Sequence, residues 1–257
     1  MRPIMTTSDN EQLMAMGNNF YQKPTVALSI LRETVMGPEL FDRAFKEYAN
    51  RWKYKHPRPA DFFRTMEDLS AVDLDWFWRG WFYGTDNVDV ELSEVKWYKM
   101  NTQTVDPEKK TPKTQQGDLA TTSDASNDFS QGPKPLTVKN TPDAFYGQYL
   151  SRLDNDAVRQ KLDGKNIYQL KFKNIGGLVT PIVIEWTYQD GSKEIEKLPA
   201  EIWRLNENEV TKVFVKDKQV TNIVVDPNAE LADVNTSNNS FPKKTTDSKF
   251  DQLKKQK

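Results

Sequence analysis

His56 is the only histidine in the 257 residues, and the chain has no cysteine. A catalytic zinc centre usually takes three protein ligands, histidine foremost among them, and no stretch reads H-E-x-x-H. The chain cannot build such a site alone. His56 stands before Pro57 in a turn, where it reads as a structural or surface residue rather than a ligand or base. Hydroxyl nucleophiles have no imidazole partner except His56. There is no G-x-S-x-G elbow and no glycine-rich phosphate loop after a strand. The lack of cysteine removes disulfides, thiolate metal sites and a thiol nucleophile, and is compatible with any redox compartment.

Two further groupings carry chemical possibilities. Asp233, Asn235 and Ser237 in "DVNTSNN" alternate as in a calcium loop. Asn238 then occupies the sixth position, where the loop glycine belongs, and Lys244 the twelfth, where a bidentate glutamate should close the ring. A turn is the better reading. The stretch 55–86, "KHPRPADFFRTMEDLSAVDLDWFWRGWFYGTD", holds eight aromatic side chains. Aromatics of this density suit a peptide or sugar platform, but Phe77, Trp78, Trp81 and Phe82 fall on one helical face, as a packed helix requires.

The elements that position these residues change class along the chain. Ala27, Leu28, Leu31 and Val35 recur at helical spacing, and Gly37-Pro38 stops one helix and starts the next. In that second helix Phe41, Ala44, Phe45, Tyr48 and Trp52 form an apolar stripe. A third helix is expected from Pro59, burying Phe62, Met66 and Leu69, and a fourth from a cap at Asp73 to a stop at Gly84. "VDVELSEVKWY" (88–98) then alternates like a strand.

Residues 100–140 are rich in Thr, Ser, Gln, Lys and Pro and read as a flexible linker or insertion. Helical character resumes over 141–164, and from 166 onward strand patterns recur: "IYQLKFKN", "PIVIEWTY", "SKEIEKL", "EVTKVFVK" and "QVTNIVVD". Asp190-Gly191 signals a hairpin. The fold class predicted is α+β: an all-α helical subdomain over 1–99, the linker, then a helix plus antiparallel β-sandwich over 141–242. Residues 243–257, with six lysines and two aspartates, read as a disordered basic tail.

Lys plus Arg (36) and Asp plus Glu (37) nearly cancel, so no global field draws the chain onto nucleic acid or an anionic membrane. No run approaches the ~18 apolar residues of a transmembrane segment, and "MRPIMTTSDNEQ" lacks the apolar core of a secretion signal. As it stands the chain reads as soluble.

The order of motifs adds a resemblance. Tyr21 and Lys23, Leu28 and Leu31, Gly37, Phe41, Tyr48, His56-Pro57, Asp61-Phe62-Phe63 and Trp76 to Trp81 follow one another within residues 21–81. This succession resembles the segment downstream of the zinc motif in M1-family (gluzincin) metallo-aminopeptidases. "PIVIEWTYQDGS", "PAEIWR" and "VVDPNAELADVNTSNNSF" look like the β-rich extension of a bacterial branch of that family. Gln22 and Pro24 stand where many members have Glu and Gly.

The resemblance implies that 1–99 is the second half of an M1-like catalytic domain, with the zinc motif, the glutamate ligand and the G-x-M-E-N loop on polypeptide upstream. Tyr21 matches the tyrosine that holds the oxyanion while zinc-bound water attacks the N-terminal peptide bond. A phenol suits that role, being neutral at working pH yet a strong hydrogen-bond donor. On this reading the chain is the C-terminal part of a longer enzyme, inactive alone. Zinc belongs to the full-length parent, and the partners are a peptide substrate and the missing N-terminal catalytic half. The compartment is left open, the periplasm or cell surface of a bacterium being the one that suits such a parent, and the aromatic block is a wall behind Tyr21. The alternative, from another class, is a noncatalytic β-sandwich that binds a peptide or glycan or serves structurally, with the helices as a spacer.

Overall fold

The computed structural model describes residues 2–99, 161 and 163–243. The expected linker, most of the helix over 141–164 and the basic tail beyond Lys243 lie outside the described residues. The first part is helical. Residues 13–36 run as one helical stretch, α1 (Leu13–Met16) and α2 (Lys23–Ile30) alternating with π-helical turns at Gly17–Gln22 and Leu31–Met36. Pro24 accounts for the first of these. A proline inside a helix has no N–H and its ring crowds the carbonyl four residues back, and the wider turn before it relieves both, with Lys23 N–H bonding the Asn18 carbonyl.

Gly37 then reverses the chain at φ 83°, a conformation glycine adopts without penalty, and Pro38 opens α3 (Pro38–Trp52). α4 (Pro59–Ser70) starts at Pro59, with the Arg58 N–H donating to Asp61 Oδ2 at 2.7 Å, and packs against α3. The buried side of α4 is centred on Phe63, Thr65 and Met66, with Phe62 and Leu69 only partly covered. Phe63 is drawn inward by stacking on Trp78 at 4.4 Å between ring centres. The aromatic helix, α5 (Asp75–Trp78) continued by a π-helical turn to Tyr83, has Leu74 rather than Asp73 at its cap position. Asp73 acts one step away, accepting from the Asp75 N–H at 3.2 Å. No described helix is long and apolar enough to cross a membrane.

The second part is two antiparallel sheets. β1 (Val90–Lys99), β2 (Asn166–Asn174) and β5 (Glu209–Lys216) form one in the order β1-β2-β5. β3 (Ile182–Tyr188), β4 (Lys193–Leu198), β6 (Val220–Val225) and β7 (Ser240–Phe241) form the other in the order β4-β3-β6-β7. Alternation sets the register: Leu92 lies opposite Phe172 and Phe172 opposite Val210, so apolar residues share one face. The hairpin at Asp190-Gly191 closes as expected, with Gly191 at φ 80°.

Side chains join the sheets. Trp186 on β3 lies 5.8 Å from the Tyr168 ring of β2 and 5.0 Å from the Phe214 ring of β5, and the Tyr168 hydroxyl accepts from the Val220 N–H at 2.8 Å. Helices and sheets also share one apolar core that includes Phe77, Trp81, Leu178 and Ile184. Their seam is a close backbone approach. Asn87 bridges to Gly177, and a Cβ on Gly176 would stand 2.1 Å from the Asn87 carbonyl oxygen.

Candidate functional site

Tyr21 lies in the π-helical turn that precedes Pro24, and its side chain is 73% exposed. Its carbonyl accepts the Thr25 hydroxyl at 2.7 Å, a local bond that steadies the turn where the proline interrupts the ladder. The exposed residues of 13–29 include Leu13, Met14, Tyr21 and Val26, and none of them is charged. At the chain's 28% of charged residues, those 17 positions would carry about five, yet Lys23 is the single one. Depletion of charge with exposed Tyr and Met is the composition of a contact surface rather than a solvated helix face.

What stands behind that helix is the aromatic block. Phe77, Trp78, Trp81 and Phe82 are 0 to 8% exposed, so the stripe is core, as its spacing predicts. Trp78 Nε1 donates to Glu67 Oε1 at 3.1 Å, and burial beside Asp75 pushes the Glu67 carboxyl above the ordinary glutamate range. The two helices are tied by Lys23, two residues past Tyr21. Its Nζ donates to the Gly84 carbonyl at 3.0 Å, where the aromatic helix ends. Burial lowers the Lys23 ammonium from its usual range, opposed by the nearby Asp86.

The remaining sequence candidates take structural places. His56 is exposed in the turn between α3 and α4. The loop 233–239 is a clasp: Asp233 Oδ2 accepts from the Val90 N–H at 3.0 Å and from Asn239 Nδ2 at 3.1 Å, and Oδ1 from the Asn235 N–H at 2.8 Å. Asn238 Nδ2 donates to Asp89 Oδ1 at 2.8 Å, joining the loop to the start of β1. These bonds make it a turn. Nearby, Asp226 is buried at φ 52° and accepts from the Glu230 and Leu231 N–H groups at 2.7 and 3.1 Å, while its burial raises its carboxyl pKa. Among the described residues no three His, Cys, Asp or Glu side chains converge to hold a metal ion.

One cluster escaped the sequence reading. Lys216, 8% exposed at the end of β5, meets Glu194 and Glu196 of β4 over the Trp186 ring. In "SKEIEKL" and "EVTKVFVK" Glu194, Glu196 and Lys216 stand at inward alternate positions, but Lys193, Lys197 and Glu209 are charged on the other face, so the pattern alone does not single them out. No family model and no curated protein matches the chain.

Proposed function

We propose that this chain is the C-terminal portion of an M1-like zinc aminopeptidase, in which Tyr21 donates a hydrogen bond to the oxyanion formed at a peptide substrate's first carbonyl. The observation that carries the reading is the place of Tyr21: an exposed phenol on a charge-free helical face, backed by a rigid aromatic wall and pinned by Lys23. That face is the contact surface for the upstream catalytic half, and the helical residues 2–83 are the second half of the catalytic domain, whereas β1 (Val90–Lys99) pairs with β2 and belongs with the sheets. The ring and backbone contacts between the two sheets support a β-sandwich as the domain that follows.

The metal would supply a polarised water, and its ligands would belong to the upstream half. Tyr21's own contribution is a hydrogen bond realised in the transition state, and loss of one such donor typically costs on the order of 10²- to 10³-fold in rate. Purified chain is expected to hold no stoichiometric zinc by elemental analysis and to leave aminoacyl-p-nitroanilides uncleaved. One equivalent of metal with turnover would overturn the fragment reading. The coding sequence upstream is expected to read H-E-x-x-H and, after a further helical stretch, a glutamate; its absence there removes the peptidase assignment.

A further inference from the structure

Among the described residues β4 is an edge strand, bonded to β3 alone. Its partner turns Ile184 and Trp186, both fully buried, toward the core, yet in register with them β4 presents Glu196 and Glu194. Lys216, from the edge strand of the opposite sheet, receives both carboxylates. Its Nζ lies 3.0 Å from Glu194 Oε1, 2.8 Å from Glu196 Oε2 and 4.7 Å from the centre of the Trp186 ring, and its side chain is 9% exposed. Trp186 Nε1 donates to Glu196 Oε2 at 3.2 Å, and the Tyr188 hydroxyl donates to Glu194.

Two residues on, Lys218 Nζ holds the β3–β4 hairpin tip through Asp190 Oδ2 at 2.5 Å. On the outer face Lys193 pairs with Glu185 and Lys197 with Glu230, but these lysines are 61% and 52% exposed and such pairs hold weakly. Only Leu198, at the far end of the strand, adds partly buried apolar contact with the core. β4 therefore meets the core through Lys216, with the Glu194 and Glu196 side chains still 47% and 32% exposed, where its neighbour β3 is fastened by apolar burial.

We propose that β4 is a detachable strap across the open side between the two sheets, closed by Lys216 and hinged at Leu198. Inward-pointing charge guards an edge against strand addition, and it is tolerated only while its partner is in place. Without Lys216, two carboxylates face Trp186 with no cation, so β4 opens as a unit while β3, anchored by Ile184 and Trp186, stays.

Amide hydrogen exchange on the full chain tests this. Lys216→Met is expected to accelerate exchange over 193–198 by about tenfold or more, with α3 and β2 unchanged. Lys218→Ala should loosen only the hairpin tip, 189–192. The triple change Glu194→Gln, Glu196→Gln and Lys216→Met, which leaves no charge to strand, should return β4 to slow exchange. Unchanged exchange in β4, equal acceleration across the whole chain, or failure of the triple variant to restore protection would each overturn the strap.

Discussion

Replacing Phe77 by alanine separates a packed aromatic wall from an aromatic binding platform. Phe77 is 0% exposed, with the rings of Trp78, Trp76 and Trp81 centred 5.2, 5.6 and 6.2 Å away. Phe-to-Ala changes in cores cost about 3 to 5 kcal/mol, and rigid indoles collapse poorly into the space left, which favours a figure of about 4 kcal/mol. With a urea m value of about 2 to 3 kcal/mol/M, the midpoint falls by about 1.3 to 2 M. Tyr21→Phe is the control. Its ring is 73% exposed, and surface changes of this kind stay within about 0.5 kcal/mol, a midpoint shift below about 0.25 M. Urea titration followed by circular dichroism and tryptophan fluorescence measures both. A Phe77→Ala cost under about 1 kcal/mol, or a Tyr21→Phe cost of comparable size, would refute the division between wall and exposed phenol.

Gly176→Ala drives a Cβ to within 2.1 Å of the Asn87 carbonyl, so the helix–sheet seam must part; calorimetry should show a loss of about 2 kcal/mol or more. Acid should also act on the Lys216 network. Hydrogen bonds from Tyr188 and Lys216 hold the Glu194 carboxyl below its usual range, so its contribution is present above the ordinary glutamate pKa of about 4.3 and disappears as pH falls through the lower folded value. Glu194→Gln should flatten the acid limb of a melting-temperature profile below about pH 4.5, and an unchanged limb would count against that network.

The legible parts of this fold are those where period decides burial. β5 begins and ends with the quoted run "EVTKVFVK", and the Phe77–Phe82 stripe is buried as its spacing requires, because a wrong register would expose whole faces at once. Less legible was anything governed by local backbone competition. The π-helical turn at Gly17–Gln22 answers to Pro24, which no apolar count records, and on α4 Phe63 stacks on Trp78 at 4.4 Å where Phe62 meets the same ring edge-on at 5.8 Å. The strap was written in plain alternation, but inward-facing charges look like outward-facing ones until the opposing sheet supplies Lys216.

Tyr21 shows the limit from the other side. Hydrophobic patterning detects residues whose misplacement costs stability, and an exposed phenol on a charge-free helix costs the described residues little either way. Periodicity therefore assigns it to the start of an amphipathic helix and stops there. Its environment adds what the pattern omits: Pro24 widens the turn that carries it, and Lys23 is held to Gly84 at the cost of partial burial of an ammonium. On the proposed reading, a helix so constrained on its inner side and so bare of charge on its outer side presents that outer side to the upstream half. The proposed assignment therefore stands or falls on the upstream polypeptide that would complete the surface around Tyr21.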